Sequence, residues 1–198
     1  MKNGANPRFT ETNGKQPIHV AAAHSGVIVK KLVENGCDIN TRDPIHRDTP
    51  LHIACAMCNT ETVEALIKCG AKFNMLNKHG ETPLHKLLKF ATNSHDFHTQ
   101  SRLKLAKFLV RLGFTIPQEK IKNTKTSRGR NKVLEVYNNL KKSSKCVFTL
   151  QHLCRLEIRD SLHSTAMNTD IECMELPRNM ICFLKFVDGF DYKTFAKD

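Results

Sequence analysis

No stretch of this 198-residue chain approaches the roughly 18 uninterrupted apolar residues that a membrane-spanning helix needs, which argues against such a helix. The opening residues, MKNGANPRFTETNGK, are polar and lack the apolar segment of a secretory leader. The expected compartment is therefore intracellular, the cytoplasm first and the nucleus second. Acidic residues are scarce, 19 against 31 Lys and Arg, for a formal net charge of +12. That imbalance raises nucleic acid as a partner, but it is local: between Glu119 and Lys145 seven Lys and two Arg face two Glu. The stretch KIKNTKTSRGR from Lys120 to Arg130 has no aromatic residue on which a base would stack, so it reads as a flexible basic linker. Eight cysteines without a secretory context are expected to be reduced and mostly buried as small hydrophobes. Cys55-x-x-Cys58 has no second C-x-x-C to complete a zinc site, which disfavours a metal held by Cys55, Cys58, Cys69 and His79. No metal and no cofactor is expected.

What the chain does have is an internal period. Pro17-Ile18-His19, Pro50-Leu51-His52 and Pro83-Leu84-His85 recur every 33 residues. Thr49 and Thr82 are good helix N-caps, and the proline that follows each sits at the first helical position, where its missing N–H is no loss. Ala21, Ala22, Ala54 and Ala56 suit an inner helix packed close to its neighbours. Val29, Leu32 and Val33, then Val63, Leu66 and Ile67, form the apolar stripe of a second helix. Gly36, Gly70 and Gly113 follow these stripes, where a left-handed residue closes a helix. The interval from Gly70 to Gly113 is longer than that from Gly36 to Gly70, and the extra residues are expected as an inserted loop within Phe90 to Ser101.

These units resemble the ankyrin repeat, G-x-T-P-L-H-x-A-A followed by V-x-x-L-L-x-x-G-A-D-x-N. The departures are Gln16 in place of the first threonine and Arg47-Asp48 where the second copy would carry a glycine before its threonine. The resemblance implies structural hydrogen-bonding roles for His19, His52 and His85. Gly4-Ala5-Asn6 resembles the end of a preceding unit, so the chain is expected to begin mid-repeat, as a short form or a piece of a longer protein.

Downstream, FTLQHLCRLEIRDSL places Leu150, Leu153, Cys154, Leu156 and Ile158 on one wide apolar stripe, with Thr149 as a possible cap. The pattern T-L-x-x-x-C-x-x-x-I is similar to the elongin-binding box of the SOCS-box family. MELPRNMICFLKF is similar to that family's cullin-selecting segment, with Glu175 and Met174 replacing its first proline and the residue before it, and Phe183 in the tyrosine's place. The resemblance implies elongin C contacts by Leu150, Cys154 and Ile158, and cullin contacts by Leu176, Pro177, Met180, Phe183 and Leu184. It also implies an all-α fold: an ankyrin solenoid over residues 1–116, a basic linker with a short helix over 117–146, a three-helix SOCS box over 147–186 and a tail over 187–198.

The function implied is a non-catalytic, substrate-recruiting adaptor that joins elongin B, elongin C and cullin-5 with its RING partner to a protein target. The alternative is an ankyrin interaction scaffold without a ligase role. Arg42, Ile45, His46 and Arg47 in one connecting finger, with Asn77, Lys78 and His79 in the next, are the candidate target-binding residues, and their charge favours an acidic protein.

Overall fold

The computed structural model describes residues 14–93, 99–116, 127–143, 157–158 and 181. The anchors Leu150, Cys154, Leu176, Pro177, Met180, Phe183 and Leu184 lie outside the described residues; Ile158 lies within them and is 37% exposed. The described residues form seven helices and no strand: α1 (Pro17–His24), α2 (Gly26–Glu34), α3 (Pro50–Met57), α4 (Thr60–Lys68), α5 (Pro83–Asn93), α6 (Thr99–Arg111) and α7 (Ser127–Ser143). None is long and apolar enough to cross a membrane.

Each repeated Pro-x-His opens an inner helix, as its chemistry requires. Pro17, Pro50 and Pro83 are the first residues of α1, α3 and α5. In the first two copies the histidine at the third helical position completes a reciprocal cap usually built with Glu or Gln. His19 Nδ1 accepts the Gln16 N–H at 3.2 Å, and His52 Nδ1 accepts the Thr49 N–H at 3.1 Å. The outer helices all end alike. Gly36, Gly70 and Gly113 take left-handed φ of 83°, 99° and 97°. The next amide then reaches back to the carbonyl five residues upstream: Cys37 to Leu32 at 3.1 Å, Ala71 to Leu66 at 2.9 Å, and Phe114 to Leu109 at 3.1 Å.

The inner helices stack in one row, α1 on α3 on α5, and α2 packs on α4 in the outer row. Gly26 opens α2 because a Cβ there would stand 3.0 Å from the Glu61 carbonyl oxygen and the Ala65 Cβ of α4. The core runs continuously through the row from Ile18 and Val29, by Leu51 and Leu66, to Leu87, Leu88, Leu105 and Leu109. Burying a leucine of this kind stabilises the fold by about 1.5–3 kcal/mol before entropy is counted. Phe73 and Phe114 stack at 4.6 Å and bind the second repeat to the third.

Two expectations need correction. The extra length of the third repeat is not simply a loop: Phe90–Asn93 belong to α5 and Thr99–Ser101 to α6, so the insertion has lengthened both helices. Arg102, on the first turns of α6, donates to the Ala56 carbonyl at 2.7 Å, closing the end of α3. Asn59 does the same for α1, through the His24 carbonyl at 3.3 Å.

The second correction is the start of α7. A short helix is expected near Asn131 to Lys142; the residues from Ser127 to Arg130, expected in the linker before it, are helical too, and α7 is the longest described helix. It packs on α5 and α6, continuing the inner row. Val133 and Tyr137 are buried in the common core, with Leu134, Val136 and Leu140 against it. Burial raises the Tyr137 phenol, while a hydrogen bond with the Ile116 backbone works the other way and ties α7 to the end of the third repeat. The i, i+4, i+7 spacing of Val133, Tyr137 and Leu140 was the signal available for this in the sequence.

Candidate functional site

Two fingers project between the helix pairs, and a short polar residue builds each. In the first, Asp43 Oδ1 accepts the N–H groups of His46 at 2.6 Å and Arg47 at 3.0 Å, while the Asp43 N–H bonds the Asp48 carbonyl at 2.9 Å. In the second, Asn77 Oδ1 accepts the N–H groups of His79 and Glu81, both at 2.9 Å, and the Asn77 N–H bonds the Glu81 carbonyl at 3.0 Å. Both turns need one left-handed residue. Gly80 supplies it in the second finger at φ 70°, and Arg47 supplies it in the first at φ 57°.

The fingers are locked together. Lys78 N–H donates to the His46 carbonyl at 2.8 Å, and the rings of His46 and His79 lie 6.0 Å apart. Asn77 Nδ2 donates to Asp48 Oδ1 at 2.9 Å and to Glu81 Oε2 at 3.2 Å. Helix α5 supplies the countercharges: Lys86 pairs with Asp48, and Lys89 with Glu81 at 2.8 Å. His52 crosses the same gap. Its Nδ1 is the acceptor for Thr49, so Nε2 carries the proton and donates to the Glu81 carbonyl at 3.0 Å. Further on, the Thr82 hydroxyl donates to the Thr115 carbonyl at 3.1 Å.

The candidate finger residues therefore divide by burial. Arg42, Ile45, His46, Arg47, Lys78 and His79 are exposed, with Ile45 at 49%. Asn77 is buried and committed to the turn and to two carboxylates, so it builds the finger and does not line its surface. The sequence reading overlooked Asp48, Glu81, Lys86 and Lys89. The 33-residue spacing of Asp48 and Glu81, each just before a capping threonine, was the available sign.

Burial dominates the titration of the histidines. It pushes His19 and His52 below the ordinary value of 6.5, against backbone hydrogen bonds that favour the charged form. For Asp43 and Glu81 burial works upward but loses: backbone N–H donors hold Asp43 below its usual range, and Lys89 with Asn77 does so for Glu81. As pH falls through 6.5 the unfolded chain takes protons that folded His19 and His52 refuse, so stability declines until their lower folded values are reached. The carboxylates add a second loss. Their contribution is intact above the ordinary 4.5 of Glu81 and 3.8 of Asp43 and disappears as pH falls through the depressed folded values. We expect the urea midpoint to drop between pH 7.5 and 5.5, and to drop less in His52→Gln; a midpoint flat over that range would contradict the assignment.

The arrangement offers binding chemistry. Burial pushes the Cys55 and Cys58 thiols up, away from the thiolate that a zinc ligand or a nucleophile requires. Asp43, His46 and Asp48 converge within 4.8 Å, but Asp48 already holds the Lys86 ammonium, which opposes a cation there.

Comparison with known proteins decides the family. The ankyrin-repeat model matches in three copies over residues 1–75 and 18–120, and the SOCS-box model matches residues 146–185. The chain belongs to the ankyrin repeat and SOCS box family. Among its relatives is Ankyrin repeat and SOCS box protein 6 of Pongo abelii, 30% identical over 108 residues, which are 53% of this chain and 25% of that protein. The Nuclear factor NF-kappa-B p105 subunit of Gallus gallus is 36% identical over 81 residues, 38% of this chain and 8% of the relative. Human Palmitoyltransferase ZDHHC13 is 33% identical over 84 residues, 41% and 13% respectively. The chain spans about a quarter or less of the length of the curated relatives it matches. Names this diverse show that the repeats alone carry no common activity, and within the family it is the added SOCS box that narrows the reading. Its match begins at residue 146, just beyond the end of α7 at Ser143.

Proposed function

We propose that this chain is a substrate-recognition adaptor of an elongin B/C, cullin-5 and RING ubiquitin ligase, acting in the cytoplasm. The ankyrin array holds a target, the SOCS box docks the elongins and the cullin, and proximity exposes the target's lysines to a charged conjugating enzyme for degradation by the proteasome. Raising the local concentration of acceptor lysines supplies the rate, so no nucleophile is asked of this chain.

The observation that carries the reading is the order of the two matches, ankyrin repeats first and a SOCS box after them. The box contains the anchors Leu150, Cys154 and Ile158 in the spacing of an amphipathic helix that enters a groove. A few such anchors hold most of the binding energy of an interface. Leu176, Pro177, Met180, Phe183 and Leu184 are assigned to the cullin. Within that segment Glu175 stands in place of a proline and Phe183 in place of a tyrosine.

The test is capture of purified elongin B/C by the chain and by a Leu150→Pro, Cys154→Phe double variant, followed by addition of cullin-5. The wild type is expected to capture the complex, and the variant to bind it roughly a thousandfold more weakly, two anchors lost at about 2 kcal/mol each. Far-UV circular dichroism should show the array intact in both. No capture by the wild type would leave the scaffold reading, in which the chain binds a protein and delivers it to no ligase.

A further inference from the structure

We propose that the paired fingers seat an acidic segment of the recruited protein, with Arg47 as the residue that selects its carboxylates. The inference rests on the reading of the array as the target-binding half of an adaptor, and it names the chemistry of that target.

The first observation is a separation of charge by sign. The fingers contain acids and bases alike, yet Asp43, Asp48 and Glu81 are 2%, 3% and 5% exposed, while Arg42, Arg47 and Lys78 are exposed. The buried acids are answered from inside: Asp43 by two backbone N–H groups, Asp48 by Lys86, and Glu81 by Lys89. The exposed Asp38 lies four residues before Arg42, at the start of the first finger. From Arg42 to Arg47 and from Asn77 to Glu81 the outward surface is left with cations, the two histidine rings, Pro44 and Ile45. Such a rim attracts anions and raises their encounter rate.

The second observation is Arg47 itself. The turn asks for a left-handed residue, and the corresponding positions of the neighbouring repeats hold glycine, Gly14 at φ 74° and Gly80 at φ 70°. An L side chain is disfavoured there, so arginine weakens the fold at this position relative to glycine. What it adds is an exposed guanidinium at a finger tip, a planar fork that grips a carboxylate with two parallel hydrogen bonds. A side chain kept against backbone preference, pointing outward among like charges, is accounted for by what it binds.

The third observation selects protein over nucleic acid. Ile45 stands 49% exposed two residues from Arg47, and an apolar side chain beside a cation matches an acidic peptide that carries an apolar residue. A phosphodiester backbone has nothing to place on Ile45.

The probe is a fluorescently labelled ten-residue peptide of Glu and Asp with one central Leu, titrated with the full chain at low and physiological salt. A single-stranded oligonucleotide of equal charge serves as competitor. Binding should be salt-sensitive and should fall about tenfold or more in Arg47→Gly. The same substitution should raise the thermal midpoint, because glycine relieves the left-handed strain. Lys30→Gln on the exposed face of α2 removes an equal charge elsewhere and should leave binding nearly unchanged. Weaker binding in a more stable protein cannot come from damage to the fold.

Failure of the peptide to bind would overturn the proposal. So would an Arg47→Gly variant that binds like Lys30→Gln, or an oligonucleotide that binds more tightly than the peptide and depends on Arg47. Elongin capture through Leu150 and Cys154 is read separately and should not respond to Arg47→Gly. Lost elongin capture with intact peptide binding would sink the adaptor reading alone.

Discussion

Truncating Asn77 to alanine is expected to cost the array about 3–5 kcal/mol, seen as a large fall in the urea midpoint at pH 7. The side chain does two jobs at once. Its oxygen accepts the His79 and Glu81 amides that shape the second finger, and its Nδ2 donates to both Asp48 and Glu81. Alanine would leave a buried amide without its acceptor and two buried carboxylates each short of a donor, a penalty larger than that of an ordinary surface hydrogen bond. Asn77→Asp sharpens the test. Aspartate keeps the acceptor but brings a third carboxylate against Asp48 and Glu81, so at neutral pH it should rescue little. At the matching position of the first finger, Asp43 accepts the backbone N–H groups of His46 and Arg47. A change under about 1 kcal/mol in Asn77→Ala would mean that the network between the fingers is not what holds them together.

Tyr137→Ala should be of similar size, about 3–5 kcal/mol, with Tyr137→Phe losing about 1 kcal/mol at most. The ring is buried among α5, α6 and α7 and belongs to the common core, so truncation opens a cavity at the end of the helix row. The prediction distinguishes two roles for α7. A helix that merely bridged two domains would tolerate the change with no effect on the array. A helix that caps the array would lower the stability of the repeats when undercut, and limited proteolysis should then cleave near α7 first. An unchanged unfolding midpoint in Tyr137→Ala would return α7 to the role of a linker.

The two variants probe opposite chemistry in one solenoid. Each repeat touches its neighbours alone, so stability depends on what crosses each junction. Between the second and third repeats the junction is polar at the fingers, through Asp48, Asn77 and Glu81, and aromatic beneath them, through Phe73 and Phe114. At the far end it is mostly apolar, through Val133 and Tyr137. Helix α5 reaches over with Lys86 and Lys89 to answer Asp48 and Glu81, and backbone N–H groups answer Asp43, which leaves the finger tips cationic.

The helix starts were legible in the sequence because local chemistry dictates them. Proline is tolerated at the first helical position and hardly elsewhere in a helix, so three Pro-x-His triplets marked the beginnings of α1, α3 and α5. Glycine is the residue best suited to the left-handed closure that ends α2, α4 and α6, and Gly36, Gly70 and Gly113 stand there. The repeat followed from such local rules and their period, whereas the all-α class and the family matched over residues 1–120 and 146–185 were implied by resemblance to known motifs. The split of the insertion between α5 and α6 was not legible, because residues on either side of a break can join a helix or a loop with little difference in local propensity. Packing against the neighbouring helices decides that.

For the same reason, exposure within the fingers required the tertiary structure. Asn77 and Lys78 are adjacent and both polar, yet one is buried and the other faces outward. The difference arises because Asp48, from the preceding finger, lies where only a donor can satisfy it. Nor could the sequence show that Asp48 and Glu81 would find Lys86 and Lys89, or, beyond the helical spacing of Val133, Tyr137 and Leu140, which core that apolar face would join. The sequence alone determined where α1, α3 and α5 begin and where α2, α4 and α6 end, because caps and left-handed closures act within a few residues. Which polar side chains are spent inside, and which remain at the rim to meet a partner, only the stacked repeats decided, because burial and charge compensation arise between segments some 30 residues apart.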